Sequence, residues 1–253
     1  MVTIKIDLVF EGFPGKLSTG YMGWSSVVLI ETKGVKILFD AAGAGRRSEI
    51  RQRLQEFGTN ADEIDILFLS HFHEDHVYNF DYFTNAKILL HAKEAEWVEG
   101  DPDAWAVPKH LYPALADTGR LELIYEDKEI IPGVSTLFTP GHTPGGMSLV
   151  LQAPQIPVTV VAGDAVKNLL ELASGNVAMS WNNSISAESI AKIRAIAEVV
   201  IPGHDRILQV GEDKVFAKSS VRETIIIPKD VVDTERERRL ELVIEPSWLP
   251  KES

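Results

Sequence analysis

The chain has 253 residues, 45% hydrophobic and 25% charged, a balance that excludes a disordered or collagen-like polymer and suits one domain with a large core. Its 25 basic and 37 acidic residues leave a formal charge of −12, which offers no electrostatic footprint for nucleic acid or an anionic membrane. Cysteine is absent, which removes disulfides, thiolate metal sites and cysteine nucleophiles, so any metal must bind through nitrogen and oxygen.

The opening MVTIKIDLVF alternates like a strand and lacks the charged, apolar and small-residue parts of an export signal. No apolar run reaches the roughly 18 residues needed to cross a bilayer. We therefore expect a cytoplasmic protein with a small-molecule substrate and neither nucleic acid nor membrane as partner; a homo-oligomer stays open. Val27 to Glu31 and Val35 to Asp40 are β-branched runs about the turn Thr32-Lys33-Gly34, the pattern of a hairpin. Ser48 to Phe57 places Ile50, Leu54 and Phe57 at helical spacing ahead of Gly58, and Ile64 to Leu69 reads as the next strand.

Lys87 to His91 predicts another strand, followed near 92–118 by a helical insertion punctuated by Gly100, Pro102, Pro108 and Pro113. Leu121 to Tyr125, Val134 to Phe138, Met147 to Leu151 and Val158 to Val161 then predict four strands of a second sheet. Ser186 to Glu198 reads as a helix capped by serine, with Ile190, Ile193, Ile196 and Ala197 on one face. Val199 to Ile201 predicts a short buried strand, and the tail near 206–253 is strand-rich, most clearly from Val221 to Ile244. No short repeat or low-complexity linker interrupts the chain, so 1–253 is expected to be a single domain: two sheets with helices packed outside them.

The densest chemical signal is Ser70-His71-Phe72-His73-Glu74-Asp75-His76, directly after a strand. A chance H-x-H-x-D-H would arise on the order of a few times in ten thousand chains of this composition. Alternate residues of an extended segment point the same way, so His71 and His73 can aim at one point while Asp75 and His76 turn toward another. Imidazole and carboxylate suit zinc, iron, manganese or cobalt. Three further turns follow apolar strands and carry ligand-type residues: His142 in Thr139-Pro140-Gly141-His142-Thr143-Pro144-Gly145-Gly146, Asp164 after Gly163, and His204 after Gly203.

These motifs together resemble the metallo-β-lactamase superfamily of hydrolases, over nearly the whole stretch from Val27 to His204. The resemblance implies an α/β fold, a four-layer αββα sandwich of two mixed sheets flanked by helices, with the metals at the sheet edges. It implies that His71, His73 and His142 hold one metal, that Asp75, His76 and His204 hold a second, and that Asp164 bridges them. Asp40 matches an aspartate that supports the ligand loop. The cofactors implied are two divalent metal ions, zinc first, with iron or manganese as alternatives. Such a pair can activate a shared water and polarise a carbonyl or phosphoryl oxygen, and Asp75 is the candidate to pass the proton.

Departures from family patterns narrow the substrate. The missing cysteine argues against a β-lactam, His73 stands where the di-iron electron-transfer branch commonly has Glu, and the strand-rich tail differs from the helical C-terminal domain of glyoxalase II-type thioesterases. A small ester, lactone or related acyl substrate leads. The alternatives are a phosphodiesterase or arylsulfatase-like hydrolase, a mononuclear iron dioxygenase, and a non-catalytic metal-binding module. Tyr21, Trp24, Trp97, Trp105, His110, Tyr112, Trp181, Asn182 and Asn183 are the candidates for lining the pocket, although packing is the commoner use of such aromatics. Lys167 is read as a surface lysine that could meet a substrate anion.

Overall fold

The computed structural model describes residues 2–100, 102, 104–231 and 235–252. In chain order, strand β1 (Ile4–Phe10) and a two-rung ribbon of β2 (Lys16–Leu17) and β3 (Gly20–Tyr21) precede the hairpin of β4 (Val27–Thr32) and β5 (Val35–Phe39). Helix α1 (Ile50–Glu56), β6 (Ile66–Phe68), the single turn α2 (Glu74–Val77) and β7 (Lys87–His91) follow. The insertion contributes α3 (Ala92–Glu99) and α4 (Tyr112–Ala116) and leads into β8 (Leu121–Ile124). All six longer strands form one sheet in the order β1-β4-β5-β6-β7-β8, antiparallel through β5 and parallel from β5 to β8.

This corrects one expectation: Leu121 to Ile124 does not open the second sheet but closes the first. Ile88 pairs with Leu121 and His91 with Ile124 in parallel register, and a parallel neighbour needs a long crossover, which the α3–α4 insertion supplies. The second sheet begins at β9 (Glu129–Ile131), then β10 (Val134–Phe138), β11 (Met147–Leu151) and β12 (Thr159–Gly163). After α5 (Leu169–Ser174) and α6 (Asn183–Ile196) come β13 (Val199–Pro202), β14 (Leu208–Val210) and β15 (Lys214–Ala217). Strands β16 (Val221–Ile227) and β17 (Arg238–Ile244) pair only with each other as a separate ribbon, and β18 (Ser247–Pro250) returns to the sheet edge beside β15.

The layers follow from the period of two. Val28, Ile30, Ile37 and Phe39 face Met147, Leu149, Leu151, Val161 and Ile201 between the sheets, whereas their neighbours Val27, Leu29 and Leu38 pack outward on Ile50, Leu54, Val98 and Leu115 of the helices. In the second sheet Val160 and Val200 point away from that interior onto Leu169, Leu172, Ile190 and Ile193 of α5 and α6. Burying each such aliphatic side chain contributes about 1.5–3 kcal/mol. The result is the expected helix–sheet–sheet–helix sandwich, with the C-terminal ends of β6, β10, β12 and β13 delivering their following loops to one edge.

Helix α6 starts earlier than its sequence pattern implies. Asn182, not a serine, caps it by accepting from the Ile185 amide at 3.1 Å, Ser186 is buried inside it, and Ile196 is exposed at its end. Asparagine in an extended conformation caps as well as serine, so composition alone did not choose between them. Helix α5 is an element the apolar pattern did not single out; Asn168 caps it.

Candidate metal centre

Strand β6 is buried on both faces, and the chain leaves it through Ser70 into an extended stretch that ends at His73, where ψ is 155° and α2 begins. His71 and His73 therefore come together, with ring centroids 4.5 Å apart, and the single helical turn carries Asp75 and His76 to the other side of His71, the His76 ring 4.1 Å from it. The β10–β11 loop brings His142 to both of them, 4.9 Å from the His71 ring and 4.7 Å from that of His73. His142 Nε2 lies 3.0 Å from His73 Nδ1. His204, after β13, stands beside His76 with its Nε2 3.3 Å from Asp75 Oδ2.

Asp164 lies between these groups. Its Oδ2 is 3.2 Å from His142 Nε2, while its Oδ1 is 3.3 Å from the Nε2 atoms of both His76 and His204. One carboxylate thus turns one oxygen to each cluster. Gly203 makes this approach feasible, because a Cβ there would overlap Asp164 Oδ1. All seven sequence-derived candidates are brought together, in the groups His71–His73–His142, His71–His76–Asp164 and Asp75–His76–His204, whose donor atoms lie within 4.8 Å of one another in each group.

A network behind these side chains orients them. Asp40 adopts a left-handed backbone, φ 63°; its Oδ1 accepts from the Ser70 amide at 2.7 Å and its Oδ2 from the Ser70 hydroxyl at 2.8 Å, with His76 Nδ1 2.7 Å from the same Oδ2. Ser70 Oγ is also 2.9 Å from His71 Nδ1. His204 Nδ1 donates to the Trp24 carbonyl at 3.0 Å, and Ser25 donates to the Asp75 carbonyl. With Nδ1 engaged, the Nε2 atoms of His71, His76 and His204 are left facing the centre.

The donors fit cations. His71 Nε2, His76 Nε2 and Asp164 Oδ1 are buried without a hydrogen-bond partner among the described residues, and an unsatisfied buried polar group costs about 1–3 kcal/mol. Several such atoms converging on two points form a site that a cation would satisfy. Burial holds His71 and His142 well below the usual histidine range and lowers His73 to about 4, so these three are neutral and ready to donate lone pairs. Burial also acts to lower His76 and His204, but the nearby Asp75 and Asp164 outweigh it and raise both. Burial tends to raise Asp164, yet His204, His76 and His142 hold it well below the carboxylate range.

The predicted pocket residues divide. Tyr112 packs behind Phe72 and Trp24 is stacked on Phe13 beneath the Arg46 guanidinium, so both support the site from behind. Trp97 lies with its ring 6.3 Å from that of His73. Tyr21 stacks on Trp105 at 5.1 Å and donates to Met179 Sδ at 3.1 Å, and this cluster is exposed. Trp181 is exposed as well, its amide donating to the His142 carbonyl. Asn182 serves as the cap of α6, Asn183 opens that helix, and His110 is exposed on a turn of the insertion. Lys167 is not a surface lysine: its side chain is 15% exposed and pairs with Glu171 Oε1 at 2.9 Å. The residue that sequence reasoning passed over is Glu94, fully buried between two of the ligand loops; one glutamate in the first turn of a charged helix carries no signal of that place.

Comparison with known proteins agrees with this geometry. The family model of the metallo-beta-lactamase superfamily matches residues 23–204. The chain is 28% identical over 204 residues to metallo-beta-lactamase domain-containing protein 1 of Xenopus laevis, covering 79% of each chain. It is 24% identical over 156 residues to an N-acyl homoserine lactonase of Bacillus thuringiensis, 60% of each chain. Its fold is similar to that of an N-acyl homoserine lactone hydrolase solved with N-hexanoyl-L-homoserine at its catalytic metal centre, with a TM-score of 0.64 at 20% identity over 80% of this chain and 92% of that one. It is also similar to AidC, a dizinc quorum-quenching lactonase, with a TM-score of 0.59 at 18% identity over 85% and 78%. The chain belongs to the metallo-beta-lactamase superfamily of metal-dependent hydrolases.

Proposed function

We propose that this hydrolase opens a small ester, lactone or related acyl substrate with the help of two divalent cations, zinc first. His71, His73 and His142 would hold one, Asp75, His76 and His204 the other, with Asp164 shared. The observation that carries the reading is the convergence of seven donor side chains around buried, unpartnered Nε2 and Oδ1 atoms, with Asp164 turning one oxygen to each cluster. Similarity to N-acyl homoserine lactonases, one of them a dizinc enzyme, favours acyl chemistry and zinc for this chain.

Two bound cations supply Lewis-acid polarisation of the scissile carbonyl and lower the pKa of water at the site. The chain's own residues do the rest. The neutral imidazoles keep their lone pairs for binding, and Asp164 stays ionised between the clusters. Asp75, whose side chain is 31% exposed against 5% for Asp164, is the carboxylate open to the substrate side and passes the proton. The exposed Tyr21–Trp105–Met179 cluster, with Trp97 against His73, suits a substrate whose acyl or alcohol part is apolar.

The test is elemental analysis of protein purified without chelator, beside His142→Ala and His204→Ala, followed by a screen of lactones, esters, phosphodiesters and aryl sulfates. Close to two zinc per chain, one lost in each variant, with turnover of lactones or esters, is the expected result. One iron per chain that survives His204→Ala would point to a mononuclear oxygenase instead, and turnover confined to phosphodiesters or aryl sulfates would overturn the acyl assignment.

A further inference from the structure

The first turn of α3 is wedged between the two loops that carry His71, His73 and His142. Glu94 on that turn is fully buried. Its Oε1 accepts from the Phe72 amide at 2.8 Å, and Phe72 sits between His71 and His73. Its Oε2 accepts from the Gly145 amide at 2.9 Å, three residues beyond His142. The approach is close enough that Gly145 tolerates no side chain: a Cβ there would overlap the backbone nitrogen and the Cβ of Glu94. Burial pushes the carboxyl up to about 7, against the pull of those two amides. A buried carboxylate is costly, and local rules broken in this way concentrate where function needs them.

We propose that Glu94 is a positioning residue: by bonding one oxygen to each loop it sets the spacing between the His71–His73 pair and His142, and through it the cation affinity of that cluster. The inference rests on the two-cation reading above. The physical reason is that three imidazoles from two loops make one site only if the loops keep their separation, and partners behind metal ligands commonly govern affinity in this way. Glu94 bonds the ligand loops through the Phe72 and Gly145 amides and none of the imidazoles, so its direct hold is on loop position. No hydrogen bond joins it to Asp75, His76 or His204.

The experiment uses the full chain loaded with zinc, and in parallel with cobalt as a spectroscopic probe. Glu94→Gln keeps the shape but must turn an NH2 group toward one of the two amides, so one bond becomes a donor–donor clash. Glu94→Asp keeps the charge but is too short to span both loops. Stepwise zinc affinity is measured by competition with a chromophoric chelator, and the step lost in His142→Ala identifies the His71–His73–His142 site. Glu96→Gln, an exposed position of the same helix, is the control. In both Glu94 variants the affinity of that step is expected to fall about 10–100-fold with the other step unchanged. The cobalt absorption of that site shifts, and Glu96→Gln matches the parent. The idea is overturned if the Glu94 variants keep both zinc steps and the parent cobalt spectrum, even when their metal-free melting temperature drops, because that pattern is a packing role alone. A parent chain that binds no zinc would sink the two-cation reading itself, before any Glu94 variant is compared.

Discussion

The two ligand clusters differ in charge, exposure and support. His71, His73 and His142 are three imidazoles made neutral by burial, drawn from two loops that Glu94 ties together through backbone amides. Asp75, His76 and His204 include a carboxylate, are the more open side, and are held through their own side chains: Asp40 takes His76 Nδ1, and the Trp24 carbonyl takes His204 Nδ1. The first cluster is a preformed neutral pocket. In the second, nearby acids raise the proton affinity of the histidines, so a proton and a cation compete for the same lone pairs. The lesson is a division of labour: the closed cluster anchors, and the open one meets solvent and substrate.

The largest expected effect breaks that division at its open end. Asp75→Asn, assayed at a metal concentration that keeps both sites filled, should lower kcat by about 10²–10⁴, the range typical of a lost proton-transfer group. Single-turnover hydrolysis with parallel metal analysis measures it, and full turnover in a variant holding both metals would remove Asp75 from the mechanism. Next, Asp40→Asn keeps a residue that tolerates φ 63° but exchanges the carboxylate oxygen facing His76 for a neutral amide. We expect zinc affinity of the open cluster, which Asp40 meets directly at His76, to fall about 10–100-fold, with a smaller loss at the closed cluster, which it meets only through Ser70 and His71. Equal losses at both sites would show that the two supports are not separable.

The smallest effect sharpens the comparison through α3, the helix that carries Glu94. His91 caps it, its Nδ1 accepting from the Lys93 amide at 3.1 Å, and burial lowers the imidazole to about 4 from an ordinary 6.5. Because the folded value lies below the unfolded one, the neutral ring contributes stability above pH 6.5 that is lost as pH falls through 6.5 toward 4. The melting temperature of metal-free protein should therefore drop over that window by a few degrees more than in His91→Asn, whose amide still caps without titrating. Parallel pH profiles for the two proteins would show that the cap does not sense the proton.

Much of the site was legible because ligand residues in one short run are placed by covalent geometry. After a buried strand, alternation brings His71 and His73 together and one helical turn sets Asp75 and His76 on the other side of His71, whatever the rest of the chain does. His142, Asp164 and His204 were legible as glycine-flanked residues at strand ends, but their grouping came through family resemblance, since no local rule says which strand ends meet. Glu94 was not legible at all. Its role exists only because α3 packs against two loops that lie far apart in the chain, those of Phe72 and Gly145, and nothing in Ala-Lys-Glu-Ala-Glu distinguishes it from the exposed Glu96.

The same line divides the fold. The sequence by itself determined the strands whose faces alternate, Val27 to Thr32 and Val35 to Phe39 above all, because a period of two commits each side chain to one layer. It also narrowed the donor chemistry, since the absence of cysteine removes thiolate ligands and the ligand-type residues of its motifs are histidine and aspartate. The tertiary structure decided that Leu121–Ile124 closes the first sheet, that Asn182 caps α6, and that Lys167 turns inward to Glu171. Each of these outcomes depends on which surface is left to cover or which partner lies within reach after the layers pack, and that is a property of the assembled chain.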